Sequence, residues 1–265
     1  MPELIALHRY AVKSCRGESL NRSRVDAMGL AFDRHWMVAD EAGNMITGRD
    51  EARLVNIQAV AEECGEALLL SAPGMHDLHV SRHALCIDQP AKVWRDEFSA
   101  FGGYSPANAW LSQFLGRSVQ LLHIGEHSTR RSAKRPHLTH LSFADGFPLL
   151  LLNTASLDEL SARVGREMVV ERFRPNLVVS GADAFAEDGW RRLRIGDVTF
   201  AMEKPCERCV FTTVDPQTGE RSSDQEPLRT LAKFRKQPEG VVFCMNLRAE
   251  NEGELHTGMP LEVLD

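Results

Sequence analysis

The chain of 265 residues has no run of about 18 consecutive apolar residues, so no transmembrane helix is expected. It also lacks a basic excess: 31 Lys and Arg stand against 37 Asp and Glu, a net charge of −6. A nucleic-acid partner is therefore not favoured, because phosphate backbones are met by a basic face. A local basic pocket within an acidic chain remains open. The N terminus, MPELIALHRYAVKSC, has neither the basic start nor the unbroken apolar run of a signal peptide, since Glu3, His8 and Arg9 interrupt it. A cytoplasmic protein without a membrane partner is the expectation. Cysteine is sparse as well. Of Cys15, Cys64, Cys86, Cys206, Cys209 and Cys244, only Cys206 and Cys209 lie close together. A secreted disulfide scaffold is shorter and denser in cysteine, so free thiols in a reducing compartment are expected. There is no internal repeat and no low-complexity tract.

What is present suffices for a core: 43% of residues are hydrophobic and 26% charged. The first ninety residues read as short strands: a loose alternation over Leu4 to Val12, a hairpin over Trp36 to Thr47 turning at Glu41-Ala42-Gly43-Asn44, then Ala67 to Ser71 and Leu78 to Ile87. Closely spaced strands separated by turn signals suggest a small barrel or sandwich. Helical patterning appears at Ser105 to Leu115, and the polar, basic stretch Glu126 to His137 reads as a mobile loop.

Pro148 to Asn153 reads as a buried strand. A helix is expected to start at a capping box formed by Ser156 and Glu159 and to end at Gly165. Asn176 to Ser180 is a second buried strand, and Arg194 to Met202 a hairpin turning at Gly196-Asp197. A helix opening with Pro227 runs to about Arg235, with Asp224 or Glu226 near its start. Strands at Val241 to Leu247 and Leu261 to Leu264 close the chain. The class is mainly β with some α.

The pair Cys206-Glu207-Arg208-Cys209 is the first candidate for chemistry. Structural zinc normally takes four ligands, commonly in two pairs. No second pair and no finger-spaced histidines follow; His137 and His140 lie far upstream. A redox dithiol sits at a strand-to-helix junction, whereas here a hairpin strand leads into the apolar run Val210 to Val214. Two readings remain: a soft thiolate binding a soft or redox metal, with Arg208 beside Cys209 favouring the thiolate, or two buried structural cysteines.

The stretch FRPNLVVSGADAFAEDGWRRLRIGDVTFAMEKPCERCVFTTVDPQTGE, followed by EPLRTLAKFR, resembles the core of the MOSC domain. It is most similar to the branch containing the mitochondrial amidoxime-reducing proteins and their bacterial relatives. The segments YAVKSCRG and DRHWMVADEAGNMITGRD resemble the β-barrel domain that precedes MOSC in that branch. The resemblance implies an N-terminal β-barrel-like domain over residues 1–95, then a MOSC β-barrel domain with helical decoration over 96–265.

It further implies a molybdenum cofactor, a pterin dithiolene ending in phosphate, and not pyridoxal phosphate. By the same resemblance Cys209 is the metal ligand and catalytic residue. Lys13 and Ser14 match the family's phosphate-side pair, Arg34 its first-domain arginine, and Arg174 with Asn176 a further anchoring pair. Asp145, Gly146 and Phe147 fall where the family's loop reaches the pterin; Asn246 falls beside the cofactor, and Arg208 next to the ligand. Arginine suits phosphate because its planar fork binds two oxygens, and lysine acts as a point charge. Each basic residue alone reads as a solvated surface charge. Thr212, Thr213 and Asp215 either orient the thiolate or form strand and turn; Arg49 either lines the site or pairs with Asp50 or Glu51.

The activity implied is reduction of small N-hydroxylated or N-oxygenated compounds: amidoximes, hydroxylamines and N-hydroxylated bases. No cluster of cysteines for a two-iron centre follows Leu247, so a separate electron-donor protein or a flavin reductase is expected. The alternative is a cofactor or sulfur carrier or storage protein without turnover.

Overall fold

The computed structural model describes residues 1–62, 64–126, 128–138 and 140–265. The fold is mainly β, as expected. Its largest sheet has nine strands, in the order Leu261–Val263, Arg192–Ile195, Val198–Glu207, Gly240–Ala249, Leu149–Asn153, Leu177–Ser180, Glu3–Arg9 and Glu18–Leu20, with Lys236–Gln237 beside Gly240–Ala249. Only Leu149–Asn153 and Leu177–Ser180 run parallel in it. A parallel pair needs a crossover, and helix α2, Thr154–Val164, provides it.

Leu149–Asn153 is buried at every position. Leu149 and Leu151 point into one core with Leu4, Leu177 and Phe200, while Leu150 and Leu152 point into another with Leu160, Phe173 and Phe243. A strand covered on both faces has to be apolar throughout rather than alternating, which is why LLLLN is legible. The hairpin expected at Gly196-Asp197 pairs Ile195 with Val198.

Helix α2 begins two residues before the expected capping box. Asn153 closes the strand and caps the helix, its side chain accepting from the Ala155 amide. Ser156 lies buried in the first turn, donating to Glu187 Oε1 at 2.6 Å and accepting from the Phe185 amide. Glu159 instead pairs with Arg163 one turn on. The cap goes to Asn153 because the strand leaves it at the start of the turn, and Ser156 is needed to satisfy a buried carboxylate. Gly165 ends α2 in the left-handed region, as expected. Helix α3, Leu228–Phe234, has Pro227 as its flanking cap residue, and Glu226 Oε2 accepts from the Thr230 amide at 3.0 Å.

Smaller sheets build the first part. Trp36–Ala39, Gln120–His123, Asp96–Gly102 and Ile87–Val93 form one of them. The return arm expected after Trp36–Ala39 makes isolated bridges only, such as Ala39 with Met45. The strand expected over Leu78 to Ile87 is broken: Leu78–Ser81 ends in a 3-10 turn at Arg82–Ala84, and Ile87 opens the next hairpin. Positions 95 and 96 fall at the turn of that hairpin. Helix α1, Ser105–Leu115, packs Trp110, Leu111 and Leu115 into the core around Trp36, Val38 and Leu54.

The basic stretch after Glu126 is a loop, but Arg130 anchors it. Its side chain is 1% exposed, pairs with Asp96 at 2.9 Å, and donates to the carbonyls of Ser142 and Ala144. A guanidinium so enclosed is a structural pin for the loop at that point; His127, within the same stretch, lies outside the described residues.

Candidate functional site

Several chain segments converge on one cavity of about 130 Å³ that is open to solvent. Lys13 and Ser14 follow the strand Glu3–Arg9. Arg34 lies in the turn before Trp36. Asp145, Gly146 and Phe147 precede Leu149–Asn153. Arg174 and Asn176 precede Leu177–Ser180. Arg208 and Cys209 follow Val198–Glu207, and Asn246 is on Gly240–Ala249. All eleven residues singled out from the sequence line this cavity, together with Arg49, Arg172, Cys206, Glu207 and others.

Six cationic residues (Lys13, Arg34, Arg49, Arg172, Arg174 and Arg208) face two carboxylates, Asp145 and Glu207. The acidic chain thus holds a locally positive pocket, the arrangement an anionic ligand needs. Three of the lining residues adopt left-handed backbone: Ser14 at φ 66°, Arg34 at φ 53° and Arg174 at φ 57°. Such backbone is uncommon outside glycine, and where it persists the surroundings must impose it.

Those surroundings are visible. Arg34 donates to Asp33, to Asn176 Oδ1 at 3.0 Å and to the Arg174 carbonyl at 3.1 Å. Asn176, fully buried, also donates to the His8 carbonyl. Tyr10 lies between two guanidinium groups, with Arg34 4.5 Å and Arg174 4.1 Å from its ring centroid. Burial pushes the Arg174 guanidinium down to about 10. Its Nη1 donates to the Cys15 carbonyl, while its buried Nη2 has no hydrogen-bond partner among the described residues.

Asp145 joins the cations at the mouth. Its carboxylate accepts from Lys13 Nζ at 2.5 Å, from Arg49 Nη2 at 2.9 Å and from Trp94 Nε1 at 3.2 Å. Desolvation acts to raise its pKa, but Lys13 and Arg49 outweigh it and hold the carboxyl well below the usual range. Lys13 is buried, and desolvation pushes its ammonium down to about 8 in spite of Asp145.

Arg49 Nε is 3.1 Å from Cys209 Sγ. The cation on this thiol is therefore Arg49; Arg208 turns to Cys206 Sγ at 3.2 Å and to the Phe173 carbonyl. Of the two readings open for Arg49, lining the site is the one the structure adopts. Gly48 permits the approach, since a Cβ there would lie 2.1 Å from the Phe211 ring. Val210 to Thr213 is a 3-10 turn rather than a strand, entered by Cys209 in extended conformation. Thr212 donates to the Cys209 carbonyl and Thr213 to that of Val210, so neither bonds the thiol; Asp215 caps the next turn and pairs with Arg172. All six thiols are free, and burial pushes Cys15 up to about 12 and raises Cys244.

Sequence reasoning passed over Arg172 and Trp94. No local pattern marks either; both reach the site through tertiary placement.

The chain matches the MOSC N-terminal beta barrel domain over residues 1–118 and the MOSC domain over 139–262. It is 35% identical to mitochondrial amidoxime-reducing component 1 of Mus musculus, over 96% of this chain and 80% of that protein. The chain belongs to the MOSC family. The human component 1 is 34% identical over 96% of this chain and 81% of its own length. Human mitochondrial amidoxime reducing component 2 is 37% identical over 85% and 70%. Among solved structures, the YuaD protein of Bacillus subtilis aligns with 98% of this MOSC chain and 94% of its own, at 9% identity and a TM-score of 0.44.

Proposed function

We propose that this MOSC protein binds a molybdenum cofactor in the cavity, with Cys209 as the protein ligand of the metal, and reduces N-hydroxylated compounds. The observation that carries the reading is a pocket with six cations and two carboxylates lined by two thiols, of which Cys209 is the one held by Arg49, in a chain related to proteins named for amidoxime reduction.

The residues present fit such a group. A terminal phosphate needs several donors, and Lys13, Ser14, Arg34 and Arg174 supply them from adjacent turns. Arg174 Nη2 and Arg208 Nε are buried without partners among the described residues, and a buried unpaired donor costs about 1–3 kcal/mol that a ligand acceptor can recover. When bound, the cofactor supplies a two-electron couple able to take oxygen from an N–O bond. The chain's part is to bind and orient. Asn176 and Arg34 lock each other, Arg49 orients the Cys209 side chain, and Asp145 balances Lys13 and Arg49 at the mouth. Electrons come from a separate protein or a flavin reductase.

The test is metal analysis combined with turnover. Protein from a cofactor-competent host is expected to hold about one molybdenum per chain, as one-thiolate ligation implies, and to reduce benzamidoxime with an artificial donor. Cys209→Ala is expected to lose both. Full molybdenum and activity in that variant would overturn the ligand assignment. Bound molybdenum without turnover points to storage, and a sulfur adduct on Cys209 without metal points to a carrier.

A further inference from the structure

Trp94 lies at the tip of the hairpin formed by Ile87–Val93 and Asp96–Gly102. Val93 pairs with Asp96, so Trp94 and Arg95 are the two loop residues. Trp94 has φ 57°. In two-residue hairpin loops a positive φ at the first central position calls for glycine, and a bulky residue there is an outlier that its surroundings must explain. Core burial does not explain it, because the residue is 49% exposed.

Its contacts do. Trp94 Nε1 donates to Asp145 Oδ1 at 3.2 Å, and the Arg49 guanidinium lies 4.7 Å from the ring centroid. Arg49 in turn holds Cys209 Sγ. The indole is thus two contacts from the proposed metal ligand, at the rim of the cavity. The tip is also held in place. Asp96, next but one to Trp94, accepts from buried Arg130, whose other donors take the carbonyls of the loop leading to Asp145. Along the incoming strand, Lys92 accepts from the Met45 amide and donates to the Gly43 carbonyl.

We propose that Trp94 is the stacking wall of the substrate mouth, and that it selects flat, delocalised N-hydroxylated molecules, such as aromatic amidoximes or N-hydroxylated bases, over small aliphatic hydroxylamines. An indole offers a broad π face that any planar ring stacks on. Trp94 is half-exposed, and it touches two residues that line the cavity, Arg49 and Asp145. A small aliphatic hydroxylamine has no plane to place there. The inference rests on the reductase reading for its turnover arm, but not for its binding arm.

The binding arm uses the holoenzyme without electron donor. Benzamidoxime is titrated while tryptophan fluorescence is recorded. Trp36 and Trp110 are buried and Trp190 is half-buried; all three remain in Trp94→Phe, so the wild-type signal minus that of the variant isolates the rim indole. Saturable quenching of this component is expected; no quenching overturns the proposal. The turnover arm compares Trp94→Gly and Trp94→Phe with benzamidoxime and methylhydroxylamine. Glycine suits the loop backbone, so the first variant is expected to fold, as circular dichroism will check. Its KM for benzamidoxime is expected to rise about tenfold relative to that for methylhydroxylamine, as loss of one ring stack implies. Trp94→Phe, which keeps a flat ring, is expected to retain most of the preference. An unchanged KM ratio in Trp94→Gly, or an equal fall in kcat for both substrates, reduces Trp94 to a prop for Arg49 and overturns the proposal. Saturable quenching of the rim indole, in a protein that reduces neither compound, upholds the wall while the reductase reading fails.

Discussion

Arg49 donates to Cys209 Sγ across 3.1 Å and 160 residues of chain. The same guanidinium bonds Asp145 Oδ2 at 2.9 Å. One planar group therefore bridges the thiol and the carboxylate that also holds Lys13. Asp145 and Cys209 together raise the proton affinity of Arg49 against the opposing effect of its burial.

Arg49→Lys is expected to separate cofactor retention from stability. A lysine keeps the charge but has no fork, so one ammonium cannot serve both partners in this geometry. The pair is partly exposed, with side chains 24% and 51% accessible, so the loss in urea-unfolding stability is expected to be about 1 kcal/mol or less. Molybdenum retained through gel filtration is expected to fall several-fold. Retention equal to wild type would show that charge alone, and not the bridge, is what the site needs.

Tyr10 gives opposite expectations for two substitutions. Its ring is held between Arg34 and Arg174, and its buried hydroxyl has no partner among the described residues. Removing an unpartnered buried hydroxyl is neutral or stabilising, so Tyr10→Phe is expected to keep or raise the unfolding free energy by up to about 1 kcal/mol. Tyr10→Leu loses two desolvated cation–π contacts and is expected to cost roughly 2 kcal/mol or more. Urea melts of the two variants check this, and a destabilised Tyr10→Phe would mean that the hydroxyl has a partner in solution.

Much of the large sheet is legible because burial on both faces leaves unbroken apolar runs, as in Leu149–Asn153 and Leu177–Ser180. The Trp94 hairpin is not. Its strands IDQPAKV and DEFSAFG carry charges and a proline on a half-exposed sheet, and the indole at the tip breaks the glycine preference by which such a turn is read. The cap of α2 goes astray for a tertiary reason: Ser156 serves buried Glu187, a residue 31 positions away. At the site, residue types inside long motifs point to residues that share one cavity, but partners do not follow from adjacency. Arg208 is next to Cys209 in sequence and bonds Cys206, whereas Arg49 comes from the far side of the chain.

Acid is expected to destabilise the fold through two buried imidazoles. Burial pushes His35 down to about 4 and His123 down to about 3 from an ordinary 6.5. His123 Nδ1 accepts from the Gly125 amide at 3.0 Å, which fixes a neutral ring. Because the unfolded chain binds these protons at higher pH than the folded one, their contribution is complete above pH 6.5 and is lost as pH falls through the folded values. Each ring is expected to remove roughly 1.4 kcal/mol per pH unit in that window, about 2 kcal/mol between pH 7 and 5. Urea midpoints over this range measure the slope, and His123→Gln is expected to flatten it relative to wild type. A slope unchanged by the substitution would assign the acid sensitivity to other groups.

Asp145→Asn tests whether this carboxylate serves as an internal counter-ion in the place an anionic ligand would balance. Lys13 is 6% exposed at its side chain, and Asp145 is its only carboxylate among the described ion pairs. Removing that charge leaves a buried ammonium with the Phe143 carbonyl as its remaining acceptor, and the folded-state value of about 8 should fall further. Breaking a buried pair costs about 3–5 kcal/mol, and the half-exposed carboxylate brings this down to roughly 2–3 kcal/mol. The variant also leaves the cavity more positive. Inorganic phosphate should then bind more strongly to the folded variant than to the wild type and recover part of the loss by mass action. Thermal melts of cofactor-free protein at pH 7, in phosphate and in a zwitterionic buffer of equal ionic strength, separate this from general salt screening. The expected result is a larger phosphate-induced rise in Tm for Asp145→Asn than for wild type. Equal rises would mean that Lys13 and Arg49 do not meet the anion, and that Asp145 is a structural tie between the Trp94 hairpin and the pocket rather than a stand-in for ligand charge.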